Sequence, residues 1–142
     1  DFRKTLPDGV VDLGFVSEQE KKELMRGALA LVQPSTNESF SIVLLEALLQ
    51  GTPVIVHSEC AVTAEHARLG NCGLEFGNRL EFKAVVDLLF RNQDVARQLG
   101  EQGRDYVRER YSWDAVCDRA REALNAMSGT EAQTSSLAMS RP

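Results

Sequence analysis

Two glutamates and a group of hydrogen-bonding residues surround the start of one apolar segment of this sequence. Glu38 and Glu46 are separated by seven residues, and from Phe40 to Leu49 only Ser41 and Glu46 are polar. A carboxylate inside an apolar segment is costly unless another group pairs with it. Glu46 therefore needs a partner, either a ligand or a buried base, and Glu38 raises the same question.

The apolar segment is predicted to be a helix whose first turn can bind an anion. Asn37, Ser39 and Ser41 are residue types that favour a helix start. Gly51, followed by Pro53, indicates the end of the helix. The first N–H groups of a helix lack intrahelical partners and carry the positive end of its dipole, so phosphate binds there. The flanking carboxylates would suit sugar hydroxyls. A capped core helix with one polar edge explains the same residues equally well.

The position of the two glutamates follows from helix geometry. Because the segment is apolar on nearly every side, we expect a helix that is buried on nearly every side. Two helical turns take about seven residues, so Glu38 and Glu46 are expected on roughly the same side. Glu38 would lie at the mouth of the helix and Glu46 about two turns inside.

Strands that alternate with helices predict an α/β fold, a Rossmann-like parallel sheet with helices on both faces. Ligands bind such sheets at the carboxyl ends of the strands, so the loops there should face one crevice. A capping box of Ser17 and Glu20 begins a charged helix that ends near Gly27. The predicted strands are Val10–Val16, Ala28–Gln33, Val54–Val56 and Cys72–Phe76, with a short helix over Thr63–Leu69.

A helical C-terminal segment begins at Leu80, where apolar residues recur at helical spacing. We expect a short helix from about Asp94 to Gly103, another to Arg110, and a last one from Trp113. Tyr111 and Trp113 should anchor that last helix in the core, and its apolar stripe should be buried. The stripe consists of Val116, Ala120, Ala123, Leu124 and Met127.

The domain is predicted to span residues 1–127. Residues 128–142 are rich in Ser, Thr and Ala without periodicity, which predicts a disordered tail. The sequence starts at Asp1 rather than at a methionine, so we expect the domain to be incomplete at its N-terminus.

Composition excludes several classes of function. The net charge of the 142 residues is −5 and no Lys/Arg cluster stands out, so a nucleic-acid partner is not expected. Cys60, Cys72 and Cys117 are an odd number without metal-ligand spacing, which favours reduced thiols over a disulfide framework or a zinc site. No apolar run approaches the roughly 20 residues that span a bilayer. His57, His66 and Cys60 are interpreted as structural residues near the crevice.

An ordered set of motifs extends over residues 10–125. Its centre is Pro-Ser-x-x-Glu-x-Phe-x-Ile-Val-Leu-Leu-Glu-Ala at 34–47, followed by Gly-Thr-Pro-Val-Ile at 51–55. This set resembles the donor-binding signature of retaining glycosyltransferases of family 4, which have the GT-B fold, and the chain resembles the later part of their C-terminal domain. The flanking motifs are Leu13–Ser17, Gly73–Phe76, Leu99–Arg104 and Tyr111–Trp113.

The resemblance implies a role for each matching residue. Glu38 would be the catalytic residue and lie against hydroxyls of the donor sugar, and Glu46 would bind the ribose. Ser39 and Ser41 stand where the family usually has glycine, which implies a variant loop. The remaining donor contacts would come from the loop 39–42 for sugar and phosphate (Ser39, Phe40, Ser41, Ile42) and from backbone groups of Gly14, Phe15 and Val16 for the base.

The resemblance also implies a reaction. A sugar would move from a nucleotide-diphospho-sugar to a glycan or lipid-linked acceptor with retention of configuration, without a metal or another cofactor. The acceptor would bind an N-terminal domain that lies before Asp1, together with a basic pair that holds the diphosphate. This chain alone would then be inactive. The full-length protein is expected in the cytoplasm, where peripheral association with a membrane is compatible with such acceptors.

Two other functions stay open. A nucleotide-sugar epimerase with the GT-B fold would bind the same class of ligand and carry different acid and base residues. A non-catalytic α/β module would use Glu46 only to pair with a buried base.

Overall fold

The computed structural model describes residues 6–138, with side chains as far as residue 128. Within this part three strands form a parallel sheet in the order β1-β2-β3, and six helices accompany it. The strands are β1 (Leu31–Gln33), β2 (Val54–His57) and β3 (Gly73–Phe76). The helices are α1 (Glu18–Gly27), α2 (Ile42–Leu49), α3 (Ala61–Leu69), α4 (Arg79–Arg91), α5 (Gln93–Tyr111) and α6 (Trp113–Ala138).

Helices cover both faces of the sheet, because alternate residues of β2 enter different cores. Val54 and Val56 pack on one face with side chains of α2, α3 and α5, among them Leu44, Leu48, Ala67 and Tyr106. Ile55 packs on the other face with Phe76, Leu89, Ala96 and Leu99. The predicted α/β fold with a covered parallel sheet is therefore confirmed.

The register places the carboxyl ends of the strands at one edge. Leu31 lies opposite Val54, and Ile55 lies opposite Leu74. The strands therefore end together at Gln33, His57 and Phe76, and the loops that follow them leave from the same edge. The first of these loops connects β1 to the N-terminus of α2.

The C-terminal end of α2 is fixed by α5. Gly51 has φ 82° and donates its N–H to the carbonyl of Leu48 at 2.8 Å, which confirms the predicted helix stop. Arg104 of α5 donates to the carbonyl of Gln50 at 2.9 Å, so a cation lies at the negative end of the α2 dipole.

The helix break predicted near Gly103 is wrong, because α5 runs without interruption from Gln93 to Tyr111. Its glycines are packing positions rather than stops. A Cβ on Gly100 would lie 1.9 Å from the carbonyl oxygen of Gly51, and a Cβ on Gly103 would lie 2.5 Å from a methyl group of Leu48. Because these glycines have no side chain, α5 can approach α2 closely.

The predicted strand Val10–Val16 does not form. None of the described strands pairs with this segment, and an extended segment is a strand only when a neighbour bonds to it. Val11 is 75% exposed and Phe15 is fully exposed. An apolar run thus indicated a strand, but the run alone could not supply a partner.

The predicted burial of the last helix is also wrong. Trp113 is 82% exposed, and Leu124 and Met127 are 64% and 68% exposed. Tyr111 alone of the two predicted anchors is half-buried and packs against the core. Helical spacing predicted which residues share a face of α6, but the described residues hold no element that covers this face. The rest of the stripe, Val116, Ala120 and Ala123, is exposed as well.

Three further observations bear on the class of protein. Cys60 and Cys72 are buried and Cys117 is exposed, and all three are free thiols, as predicted. Among the described residues there is no helix of the length and hydropathy needed to cross a membrane. Residues 139–142 and the side chains after residue 128 lie outside the described part, and the disorder of residues 128–142 stays a prediction.

Candidate functional site

Gln33, the last residue of β1, holds the loop that carries Glu38. Its Nε2 donates to Oε1 of Glu38 at 3.1 Å and to Oγ of Ser41 at 3.3 Å. One amide thus fixes a half-buried carboxylate beside the start of α2 at the carboxyl edge of the sheet. Gln33 was not among the site residues predicted from the sequence, although a polar residue at the end of an otherwise apolar strand was a signal.

Ser41 precedes α2 in a conformation that suits glycine. Its φ is 60° and its ψ 68°, the left-handed region that residues with a Cβ rarely adopt. A glycine, which the resemblance expects here, would adopt it without strain. The Ser41 side chain makes no capping hydrogen bond to α2. The Ser41 carbonyl accepts the N–H of Leu44 at 3.1 Å, but the side chain caps none of the first N–H groups. The N–H groups of Ile42 and Val43 are thus left to other acceptors, as an anion site requires.

The expected relation between the two glutamates needs correction. Helix α2 begins at Ile42, so Glu38 lies in the preceding loop and helical periodicity does not relate it to Glu46. Glu46 is four positions from the start of α2, about one turn or 6 Å inside rather than two turns. The spacing in sequence is therefore not a spacing along one helix.

The expectation that α2 is buried on nearly every side is also wrong. Ile42 is 67% exposed, and Val43 and Leu49 are 37% and 43% exposed, which leaves one apolar face uncovered. The buried side of the helix consists of Leu44, Leu45, Ala47 and Leu48. Glu46 lies at the border of the two sides.

Glu46 pairs with a lysine from α1. Lys21 Nζ lies 3.0 Å from Oε1 of Glu46 and 3.0 Å from Oε2 of Glu18. The side chains of Lys21 and Glu46 are 29% and 37% exposed, so water reaches the pair. Glu46 also lines a groove of about 390 Å³ between α2, the end of α5 and the start of α6, whose other lining residues are aliphatic or aromatic. Nothing in the charged pattern of α1 indicated that Lys21 reaches Glu46.

An aromatic cluster supports the loop that contains Phe40. The Phe40 ring packs edge-on against His66 and Tyr111, with centroids 5.8 and 5.7 Å away. His66 Nδ1 is 2.9 Å from the hydroxyl of Tyr106, and burial lowers the pKa of this histidine. His66 is thus a hydrogen-bonded residue behind the loop, in keeping with its interpretation as structural.

Not every predicted contact converges on one crevice. Val16 lines a groove of about 540 Å³ with Leu24 of α1, and neither Lys21 nor Glu46 belongs to its lining. Gly14 has φ 62° and donates its N–H to Oδ1 of Asp12 at 2.8 Å, so the predicted base loop is a turn. Ser39 is exposed in the loop before α2. The structure brings Glu38 and Ser41 together, whereas the groove at Val16 is separate from the groove at Glu46.

The described residues include no group of three or more His, Cys, Asp or Glu side chains that could hold a metal ion. His57 Nδ1 accepts the N–H of Glu59 at 3.2 Å, and its ring packs against Phe76. Cys60 is buried at the start of α3. The polar groups available at the edge are therefore a carboxylate, hydroxyls and backbone N–H groups, which suit hydroxylated and anionic ligands.

Comparison with known proteins gives a consistent result. Residues 3–106 match the family described as glycosyl transferases group 1. An uncharacterised glycosyltransferase of Methanocaldococcus jannaschii is 32% identical over 82% of this chain, and an α-1,3/1,6-mannosyltransferase of Neurospora crassa is 30% identical over 94% of it. The chain spans 29% of the length of each of these two relatives.

A solved structure shares the fold. Sucrose-phosphate synthase from Thermosynechococcus elongatus superposes with a TM-score of 0.69 at 22% identity, over 83% of this chain and 30% of its own. At that identity the likeness concerns the fold, and membership is established by the family match over most of the chain. This chain belongs to the glycosyl transferases group 1 family.

Proposed function

We propose that this chain is the donor-binding part of a glycosyltransferase that moves a sugar from a nucleotide-diphospho-sugar to a glycan or lipid-linked acceptor. The observation that carries the proposal is the arrangement of side chains and N–H groups at the start of α2. There Gln33 holds Glu38 beside Ser41, and the Ser41 side chain leaves the N–H groups of Ile42 and Val43 uncapped. N–H groups at a helix start stabilise the charge of a diphosphate, and a carboxylate accepts hydrogen bonds from sugar hydroxyls.

Each matching residue has a proposed role. Glu38 contacts hydroxyls of the transferred sugar, and Glu46 contacts the ribose. The loop 39–42 receives the sugar and the distal phosphate, and the turn at Gly14–Val16 receives the base through backbone groups. Charge on the diphosphate leaving group is stabilised by N–H groups and basic side chains rather than by a metal.

Further parts of the proposal concern the whole protein. It belongs to the retaining enzymes of family 4, with the GT-B fold, and acts in the cytoplasm, where thiols such as the three free cysteines stay reduced. Its acceptor binds a separate N-terminal domain, and a lipid-linked acceptor would bring the protein to a membrane surface. A mannosyl donor is the first candidate, since one of the relatives is a mannosyltransferase.

A thermal-shift panel tests the proposal on the intact protein. The panel contains UDP-, GDP- and ADP-sugars, and a donor at about 100 times its Kd should stabilise the protein by about 2.7 kcal/mol. A Glu38→Gln variant should lose part of the shift given by the sugar nucleotide but keep the shift given by the bare nucleoside diphosphate. A panel in which no donor raises the melting temperature would contradict the proposal.

A non-catalytic module is the second candidate, because the Lys21–Glu46 pair is what that interpretation expects. It predicts that Glu46→Gln lowers stability and leaves nucleotide affinity unchanged. Measuring melting and nucleotide binding on the same Glu46→Gln sample separates the two functions.

A further inference from the structure

Lys21 connects the helix that follows the predicted base loop with the carboxylate proposed for ribose. Its Nζ lies 3.0 Å from Glu46 and 3.0 Å from Glu18, so one ammonium group bridges two carboxylates. A lysine is a cation at neutral pH at its ordinary pKa, and hydrogen bonds with Glu18 and then Glu46 raise the pKa of Lys21 further. Lys21 therefore faces Glu46 as an ammonium group.

The pair leaves part of Glu46 for another partner. Among the described residues Lys21 bonds to Oε1 of Glu46, and the side chain of Glu46 stays 37% exposed. A carboxylate has about four acceptor sites on its two oxygens. A hydroxyl group can thus bond to Glu46 while Lys21 holds it.

Holding a flexible carboxylate in advance favours binding. A free glutamate side chain rotates about several bonds, and a ligand that orders it loses affinity to the entropy cost. We infer that Lys21 is a positioning residue, which holds the Glu46 carboxylate ready for the ribose hydroxyls of the donor nucleotide. This inference rests on the proposed function, in which Glu46 is the ribose contact.

A purely structural role for Lys21 would be to dock α1 on α2. The structure offers a matched control, because Arg26 of the same helix donates to Oε1 of Gln50 at 2.8 Å. Both residues join α1 to α2, but Arg26 does so at the opposite end of α2 from Ser41. If docking alone mattered, removing either tie would have similar effects.

Calorimetric binding to the intact protein tests the inference. The probes are UDP, GDP and ADP, and the one that binds best is compared with its 2′,3′-dideoxy form. Glu46→Gln should weaken binding of the ribonucleotide about tenfold, the scale of a hydrogen bond to a charged group, and leave the dideoxy form unchanged. Lys21→Met should likewise weaken binding of the ribonucleotide, by roughly three- to tenfold, and leave binding of the dideoxy form unchanged.

Three further variants separate positioning from docking. Lys21→Arg should restore most of the preference for ribose, and Arg26→Met should keep it fully. The double variant Lys21→Met/Glu46→Gln should bind no more weakly than Glu46→Gln alone, since Lys21 acts through Glu46.

The outcomes distinguish the inference from the function on which it rests. If Glu46→Gln leaves the preference for ribose unchanged, the proposed role of Glu46 fails and the inference fails with it. If Glu46→Gln abolishes the preference but Lys21→Met does not, only the positioning role is overturned. Additive losses in the double variant, or an equal loss in Arg26→Met, would overturn it as well.

Discussion

The packing of α5 on α2 predicts a large effect from one added methyl group. Gly100 lies on α5 where a Cβ would be 1.9 Å from the carbonyl oxygen of Gly51 and 2.7 Å from its carbonyl carbon. An ordinary contact is at least 3.4 Å. Both atoms belong to the backbone, so Gly100→Ala cannot be accommodated by rotation of a side chain.

The magnitude follows from two opposing effects. A displacement of more than 1 Å between two packed helices belongs at the upper end of overpacking costs, about 3 kcal/mol. Alanine in place of glycine inside a helix recovers about 1 kcal/mol. The variant should therefore lose about 2 kcal/mol, which lowers the melting temperature by roughly 4–8 °C in a chain of this size.

A matched control variant on α1 should not lower the stability of the chain. Gly27 ends α1, and a Cβ there would meet no atom within 4 Å, so Gly27→Ala should be neutral or stabilise the chain by up to about 1 kcal/mol. Urea and thermal denaturation of the two variants and the parent chain provide the comparison. A Gly100→Ala chain as stable as the parent would show that α5 does not lie on the end of α2 as described.

Three further predictions concern the last helix, the buried histidine and the thiols. Leu124 is 64% exposed, so Leu124→Ala should change the free energy of unfolding by no more than about 0.5 kcal/mol, and a loss above 2 kcal/mol on denaturation would mean that its stripe is covered. Burial lowers the pKa of His66 below the ordinary 6.5, so its contribution to stability is present above that pH and is lost as the pH falls through the lowered value. The urea midpoint should therefore fall more steeply between about pH 7 and pH 5 in the parent than in His66→Gln, and equal slopes would refute the assignment. Burial raises the pKa of Cys72 to about 12, whereas Cys117 is exposed. Iodoacetamide should label Cys117 in the native chain and Cys72 only after unfolding, as read by mass spectrometry, and early labelling of Cys72 would indicate an open core.

Much of the fold could be predicted because its signals are local. The capping box of Ser17 and Glu20 is present, with both of its hydrogen bonds, and α2 ends at the predicted Gly51. The buried strands read as short apolar runs because both of their faces are covered. Those signals depend on neighbours in sequence, which the chain always supplies.

The wrong structural predictions concern segments whose structure depends on contact with a partner distant in the sequence. Val10 to Val16 needs a neighbouring strand, and the stripe of α6 needs a surface to cover it. Gly103 illustrates the converse, since a helix end was predicted there, whereas the position takes glycine because a Cβ would lie 2.5 Å from a methyl group of Leu48. Sequence patterns indicate which residues share a face, whereas the contact that the face makes is a property of the tertiary structure.

The candidate site shows the same difference between residues that sequence patterns indicate and contacts that depend on tertiary structure. Glu38, Ser41 and Glu46 could be selected from their types and their order in the sequence. Gln33 and Lys21 hold two of them but come from elements with no visible link to the site in the sequence. The spacing of the glutamates correctly drew attention to the segment, although the explanation from a single helix was wrong.

The central claim is that a diphosphate binds at the first turn of α2. Backbone amide chemical shifts of the ¹⁵N-labelled chain, titrated with UDP, GDP and ADP, test it most directly. The largest changes should occur at residues 39–43, with a smaller change at Glu46, because the phosphate oxygens accept hydrogen bonds from these N–H groups. Changes confined to the far end of α2, where Arg26, Arg104 and Arg108 line another groove, would contradict the claim.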